Sequence, residues 1–177
     1  NLQKNFGITI CAAGTSHYAA MIGKYWIEKF SSVPVNVELS SEYRYRNPAT
    51  AMYSSMIVIS QSGESIDTLM AMREAKRLNL TTTAITNVEN SSIDREADYS
   101  IFTHVGHEVG VASTKSFTSQ LIVLLSIAMK IGIYNKAITS EKYQSFIQNL
   151  KLVPNFLSKI LSLNEKFINL AQSIKNS

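Results

Sequence analysis

Short apolar runs alternate with stretches of helical spacing along roughly the first 135 residues of the chain. The apolar runs are rich in β-branched residues, and they predict strands at residues 6–12, 35–39, 56–60, 82–86 and 99–103. The unbroken run at 56–60 is typical of a strand that is buried on both faces, as in a parallel sheet. Strands that alternate with helices predict an α/β fold, here a doubly wound five-stranded parallel sheet in the order 2-1-3-4-5.

The intervening segments predict the helices of this fold. They cover residues 16–30, 65–78, 92–97 and 114–133, with one helical turn at 42–46. Ser16 and Ser113 are the expected N-caps of the first and last of these helices. The centre of the last helix, residues 121–125, is apolar on every side, so we expect it to be deeply buried.

Beyond residue 135 the pattern is helical throughout. Ser140 is expected to cap a helix that Pro154 ends. A final helix is predicted from a single apolar stripe, formed by Phe156, Ile160, Leu163, Phe167, Leu170 and Ile174. The stripe could pack on its own domain or on a partner surface. We therefore predict a first domain at residues 1–135 and extra C-terminal helices at 136–177.

Composition narrows the class of protein. Of the 177 residues, 45% are hydrophobic and 17% are charged, which is typical of a globular protein. The net charge of +4 is spread along the chain, so nucleic acid is not an expected partner. The longest apolar run, residues 121–129, is too short for a membrane span, so no membrane is expected either.

Two further features concern the cellular compartment of the protein and whether the chain is part of a longer one. The only cysteine, Cys11, ends an apolar run, and we expect it to be a buried packing thiol. A single cysteine forms no disulfide within the chain, which favours a reducing compartment such as the cytoplasm. The chain begins at Asn1 rather than at a methionine, so we expect it to be part of a longer protein.

The turn after the third strand carries the clearest candidate chemistry. Ser60, Gln61, Ser62 and Ser65 offer short donors around Gly63, just where a helix is predicted to begin. Free backbone N–H groups at the positive end of a helix dipole favour an anion, most plausibly a phosphate. The alternative is that these residues only cap the helix. Glu64 would repel a phosphate, so its carboxylate is expected to point away from one.

A second polar turn follows the first strand. Thr15 and Ser16 could bind sugar hydroxyls or could simply cap a helix. In the order 2-1-3-4-5 the first and third strands are neighbours, and the winding of the chain reverses between them. The two polar turns would then lie side by side, at the edge of the sheet where ligands bind in such folds.

The connection at residues 104–112 is long for a compact α/β fold, and such loops are often functional. His104, His107 and Glu108 lie in it, but this spacing is too weak to predict a metal site. Lys115 opposes the dipole of the following helix, which would favour pairing with an acid or an anion, but a solvated lysine is the default expectation. Neither a Walker pattern nor a Gly-x-Gly-x-x-Gly pattern is present, and we predict no cofactor.

Segments 11–16, 41–46, 60–68 and 108–117 together resemble the SIS (sugar isomerase) domain family, more narrowly the isomerase portion of the glutamine–fructose-6-phosphate aminotransferases. This resemblance implies that the phosphate of a sugar is held by Ser60, Gln61, Ser62 and Ser65. It implies that the sugar is lined by Thr15, Ser16, Val111 and Ser113. The chain departs from the family pattern at Ala13, which is an extra residue, and at Ser65, which replaces the usual threonine.

The same resemblance implies a larger enzyme of hexosamine synthesis, in which a glutaminase domain and a second SIS domain are partners of this one. The acid–base residues would lie in the second SIS domain, so no catalytic residue is assigned to this chain, and residues 136–177 would lead toward that domain. A homodimer is also expected. Two alternatives stay open: a stand-alone sugar phosphate isomerase that uses His104, His107 or Glu108, and a non-catalytic module that senses a phosphosugar.

Overall fold

The computed structural model describes residues 7–50, 52–110 and 113–175 of the chain. The strands are β1 (Gly7–Ala12), β2 (Val35–Leu39), β3 (Tyr53–Ser60), β4 (Thr81–Thr86) and β5 (Tyr99–Phe102). The helices are α1 (Gly14–Ser31), α2 (Ser40–Tyr43), α3 (Ile66–Arg77), α4 (Ser92–Glu96), α5 (Thr114–Tyr134), α6 (Ser140–Leu161) and α7 (Asn164–Lys175).

The five strands form one parallel sheet in the order β2-β1-β3-β4-β5. The predicted fold class and strand order are therefore confirmed. Because β1 lies between β2 and β3, the winding of the chain reverses between β1 and β3. The register pairs Ala12 with Ile59, so these two strands end at the same edge of the sheet.

The sheet is packed on both faces because successive side chains of a strand point in opposite directions. On one face Ile8, Ile10 and Ala12 contact α1 and α5. On the other face Cys11 joins the cluster formed with α2, α3 and α4. Cys11 is fully buried, and burial raises the pKa of its thiol to about 12, as expected of a packing residue rather than a nucleophile.

Helix α5 is less buried than its apolar centre predicts. Within residues 121–125 only Leu124 is fully buried, whereas Ile122 is 47% exposed. The prediction of deep burial was wrong because α5 covers the sheet with one side, which packs against α1 and leaves its other flank open. By length and composition alone α5 could cross a membrane, but a core helix of a soluble protein passes the same test.

Two of the three predicted helix caps differ from the structure, and the third is confirmed in its position. Helix α1 begins at Gly14, so Ser16 lies inside its first turn instead of capping it. Ser113 does occupy the N-cap position of α5, but its side chain makes no capping hydrogen bond. Thr139, rather than Ser140, caps α6 and accepts a hydrogen bond from the backbone N–H of Lys142.

The described residues from 139 to 175 form a compact unit of their own, which contains α6 and α7. The prediction that Pro154 ends a helix was wrong, since α6 continues through it to Leu161. A proline removes one backbone donor, and the turns on either side of it can still form. The predicted apolar stripe is consequently divided between the end of α6 and α7. From Lys151 to Lys175 every described residue is exposed.

Candidate functional site

Two polar turns lie side by side at the edge of the sheet where β1 and β3 end. The first turn connects β1 to α1 and contains Gly14, Thr15 and Ser16. The second connects β3 to α3 and covers residues 60–65. The structure thus brings together the two turns that the sequence singled out, at the point where the winding of the sheet reverses.

The second turn depends on one glycine. Gly63 has a φ of +66°, a conformation that residues with a side chain rarely adopt. A Cβ atom at this position would lie 2.0 Å from Ser91 Oγ. Gly63 is therefore required both by the backbone conformation and by the close approach of the segment that precedes α4.

The hydroxyl groups of this turn organise its backbone. Ser60 Oγ accepts a hydrogen bond of 3.1 Å from the N–H of Gly63, and Ser62 Oγ accepts one of 3.2 Å from the N–H of Glu64. Ser65 is the N-cap residue of α3, but its side chain does not cap that helix. Among the described residues, none accepts a hydrogen bond from the backbone N–H of Ser62 or Ser65. These two donors remain available to a ligand.

The segment between β4 and α4 supports the turn. The carbonyl of Gln61 accepts from the N–H of Asn87, and the carbonyl of Gly63 accepts from the N–H of Ile93, each at 3.0 Å. The Glu64 carboxylate accepts a hydrogen bond of 2.8 Å from the N–H of Ser92, which lowers the pKa of Glu64. As expected, this acid is turned away from the start of α3; it caps α4 instead.

The first turn places its polar residues at the start of α1. Gly14 has a φ of +56°, and a Cβ atom there would meet nothing within 4 Å. Thr15 and Ser16 follow in the first helical turn and are half-buried. The Ser16 hydroxyl does not cap α1, which differs from the sequence prediction.

The loop between β5 and α5 is held to the rest of the molecule by Asn87. The Asn87 Oδ1 atom accepts hydrogen bonds from Thr103 Oγ1 and from the N–H of Val105, at 3.0 and 2.9 Å. Its Nδ2 atom donates to the carbonyl of Gly106 at 2.7 Å. Asn87 is not predicted from the sequence, where its one local signal is an asparagine directly after a strand. Of the sugar-lining residues that the resemblance implies, Val111 lies outside the described residues.

Glu108 and Lys115 stabilise the junction of this loop with α5. The Glu108 carboxylate accepts from the N–H and the hydroxyl of Ser116, at 3.0 and 2.9 Å. The hydrogen bond from this N–H lowers the pKa of Glu108. Lys115 Nζ donates to the carbonyl of His107 at 2.5 Å. Glu108 therefore serves as a helix cap, a role that the side chain of Ser113 does not fill.

A cavity of about 520 Å³ adjoins the second turn. It is lined by Gln61, Asn87, Val88, Glu89, His104, Gly106 and His107. In the part of the chain that the structure describes, no three His, Cys, Asp or Glu side chains are grouped as metal ligands. Apart from Glu89, His104 and His107 of this cavity, the polar groups near the turns include hydroxyls, amides and backbone N–H groups, which bind anions and sugar hydroxyls by hydrogen bonding.

Known proteins that are similar to this chain identify its family. The family model described as "SIS domain" matches residues 2–130. Glutamine–fructose-6-phosphate aminotransferase (isomerizing) of Zymomonas mobilis is 44% identical over 167 residues, which are 94% of this chain and 28% of that protein. The enzyme of the same name from Methanosarcina acetivorans is 39% identical over 176 residues, 99% of this chain and 28% of that protein. The chain thus spans little more than a quarter of these curated relatives.

Solved structures show the same relationship. The C-terminal domain of glucosamine-fructose-6-phosphate aminotransferase from Francisella tularensis superposes with a TM-score of 0.87 at 40% identity, over 93% of this chain and 46% of that one. A putative phosphosugar isomerase from Silicibacter pomeroyi has a TM-score of 0.70 at 23% identity, over 83% of this chain and 43% of that one, a likeness of fold alone.

Proposed function

The chain belongs to the SIS domain family, and from this premise we propose that its two polar turns hold a sugar phosphate. The phosphate lies at the amino end of α3, and the sugar extends toward α1. The observation that carries the proposal is the pair of unpaired N–H groups at Ser62 and Ser65, beside several hydroxyls and at the positive end of a helix dipole.

Each candidate residue has a role in this arrangement. Ser60, Gln61, Ser62 and Ser65 hold the phosphate by hydrogen bonds, and Thr15, Ser16, Val111 and Ser113 line the sugar. The attachment of Glu64 to Ser92 supports these roles because it keeps a negative charge off the anion site. The ligand needs no metal or cofactor in this arrangement, since hydrogen-bond donors and the helix dipole supply its electrostatic stabilisation.

We further propose that the chain works within a longer glutamine–fructose-6-phosphate aminotransferase. Identities of 39–44% to enzymes of that name support this, as does coverage of only 28% of their length. The whole enzyme would move ammonia from glutamine to fructose 6-phosphate and isomerise the product. The present chain would bind and position the substrate, and a glutaminase domain and a second SIS domain would supply the catalytic groups.

A titration of the isolated chain tests the binding role. Fructose 6-phosphate and inorganic phosphate should shift the amide NMR signals of residues 60–65, whereas fructose without phosphate should leave them unchanged. Ser62→Ala should weaken phosphate binding about fivefold by removing one hydroxyl donor. Ser158→Ala is the matched control, because that serine lies on α6 and bonds only within its helix. Equal binding by both variants would contradict the proposal.

The catalytic part of the proposal has its own test. The isolated chain should produce no glucosamine 6-phosphate from fructose 6-phosphate and glutamine. It should also not interconvert sugar phosphates. Interconversion that is lost in Glu108→Gln would instead favour a stand-alone isomerase. Ligand binding without turnover, even in the full-length protein, would favour a phosphosugar sensor.

We also propose that the protein is a cytoplasmic homodimer. The open apolar flank of α5 around Ile122 and the exposed apolar residues of α6 and α7 support self-association. The buried, unpaired thiol of Cys11 is compatible with a reducing compartment. Sedimentation of the full-length protein should give twice the mass of one chain, and a monomer would contradict the dimer.

A further inference from the structure

A polar cavity lies on the sheet face that carries α2 and α3, over the edge strand β2. Its volume is about 480 Å³, within the range of about 300–1,000 Å³ that is common for small-molecule pockets. Its lining includes Thr9, Asn36, Glu38, Tyr43, Arg46 and Tyr53, together with the segment 48–50.

The cavity exists because the connection between β2 and β3 is poor in secondary structure. In a doubly wound sheet this connection usually contains a full helix that covers the strands. Among the described residues of this connection, the only helix is α2, which is four residues long. The strand positions beneath it are polar rather than apolar: Thr9 of β1 pairs in register with Asn36 of β2, and Glu38 is two residues further along β2.

Glu38 forms the centre of the polar surface. Its Oε1 atom accepts hydrogen bonds from Asn36 Nδ2, at 2.5 Å, and from Arg46 Nη2. The Glu38 side chain is 12% exposed and that of Arg46 is 53% exposed, so the carboxylate is the deeper of the two charges. These are the charged residues that line the cavity, and each neutralises the other. The cavity therefore does not favour a free ion of either sign.

Tyr43 supplies the second, independent indication of a ligand. Its side chain is only 1% exposed, and no described residue forms a hydrogen bond with its Oη atom. Leaving a buried hydroxyl unpaired costs on the order of 1–3 kcal/mol. Burial raises the pKa of Tyr43 to about 12, so the phenol stays protonated and can donate a hydrogen bond at neutral pH.

We propose that this cavity binds a small uncharged polyhydroxylated molecule, a free sugar or polyol. Adjacent hydroxyl groups can donate to the Glu38 carboxylate and accept from the Arg46 guanidinium, while another pairs with Tyr43 Oη once a small shift of the ring uncovers that buried atom. The site is additional to the sugar phosphate site proposed above, because it lies on a face of the sheet and not at its carboxyl edge. The cation that lines this cavity, Arg46, is already paired with Glu38, so the cavity does not select for a phosphate group on the ligand.

NMR titration of the uniformly ¹⁵N-labelled chain tests the proposal. The probes are glucose, N-acetylglucosamine and sorbitol, each up to about 50 mM, well above a millimolar Kd. At least one probe should shift the Arg46 side-chain Nε–H signal, the Asn36 side-chain amide signals and the backbone amides of β2. Tyr43→Phe removes a single oxygen and should weaken this binding about fivefold. Arg46→Lys retains the charge but loses the planar donor pair, and should weaken it similarly.

Ser62→Ala serves as the matched control, since it alters the sugar phosphate site and should leave this binding unchanged. The proposal is overturned if no probe shifts these signals, or if the shifts appear at residues 60–65 instead. It is also overturned if the probe binds the wild type, Tyr43→Phe and Arg46→Lys equally. If Tyr43→Phe lowers the melting temperature, the test rests on Arg46→Lys alone. Arg46 lies at the surface, so its substitution should not disturb the fold. If residues 60–65 bind no phosphate while a free sugar still binds in the cavity over β2, only the sugar phosphate proposal is contradicted.

Discussion

The turn after β3 and the loop after β5 are neighbours in the candidate site, yet they are held in place by different means. The turn at residues 60–65 is short, and its shape is set within the turn by one glycine conformation and by the hydroxyls of Ser60 and Ser62, together with backbone hydrogen bonds. The described part of the loop, residues 103–110, depends on the side chains of Asn87, Glu108 and Lys115. A site can thus combine a rigid anion-binding turn with a loop whose position single side chains control. The four predictions that follow test this difference.

The largest effect is expected from Gly63→Ala in the turn. The new methyl group would meet Ser91 Oγ at 2.0 Å, and the left-handed backbone conformation would be strained. Together these should cost about 2–4 kcal/mol of unfolding free energy, measured by urea denaturation. Gly14→Ala is the matched control, because its φ is also positive but nothing lies within 4 Å of the new methyl group. Equal losses would show that contact with Ser91 contributes nothing.

Asn87→Ala should have the next largest effect, and it should act on the loop. It removes three hydrogen bonds to residues 103–106 and should cost about 1–3 kcal/mol. Hydrogen exchange should accelerate at the N–H of Val105. Thr103→Val, which removes one of the three bonds, is the graded control. Unchanged exchange at Val105 in Asn87→Ala would show that the loop does not depend on this side chain.

The variants Glu64→Gln and Glu108→Gln compare how the stability of the turn and of the loop depends on pH. The Glu64 carboxylate accepts a hydrogen bond from the N–H of Ser92 in α4, and the Glu108 carboxylate accepts one from the N–H of Ser116 in α5. In the folded state the pKa of each carboxylate is lowered below its ordinary value of 4.5. Such a group stabilises the fold above its unfolded pKa, and this stability is lost as pH falls through the folded pKa. Each variant should therefore lose less stability than the wild type on acidification below pH 4.5.

Acid titrations of the two glutamine variants by circular dichroism measure this effect. If the wild type and both variants show the same dependence below neutral pH, then neither carboxylate contributes in the way proposed. A difference confined to Glu64→Gln would mean that the turn, and not the loop, carries the charge-dependent stability.

Lys115→Met should have the smallest effect. Lys115 is exposed, and its hydrogen bond to the carbonyl of His107 is open to solvent, so the change in unfolding free energy should stay within about 0.5 kcal/mol. Faster exchange of loop amides without loss of global stability would identify Lys115 as a local tether. A loss above about 1 kcal/mol would place the loop among the rigid parts of the molecule.

Much of the fold could be predicted because it depends on local pattern. The five apolar runs became the five strands, and the strand order followed from the rules for parallel α/β sheets. The two hydroxyl-rich turns were found because their chemistry lies in consecutive residues. Helix boundaries were less predictable: α1 begins before Ser16, and α6 continues through Pro154 because the helical hydrogen bonds on either side of the proline can still form.

The sequence by itself determined which residues carry donors, where strands give way to helices and which turns meet at the switch point of the sheet. Only the tertiary structure decided that Glu64 caps α4, that Asn87 holds the loop and that a polar cavity is left over β2. The physical reason is distance along the chain. Periodicity and turn chemistry extend over a few neighbouring residues, whereas these contacts join groups up to 28 residues apart and arise only when the sheet brings its elements together.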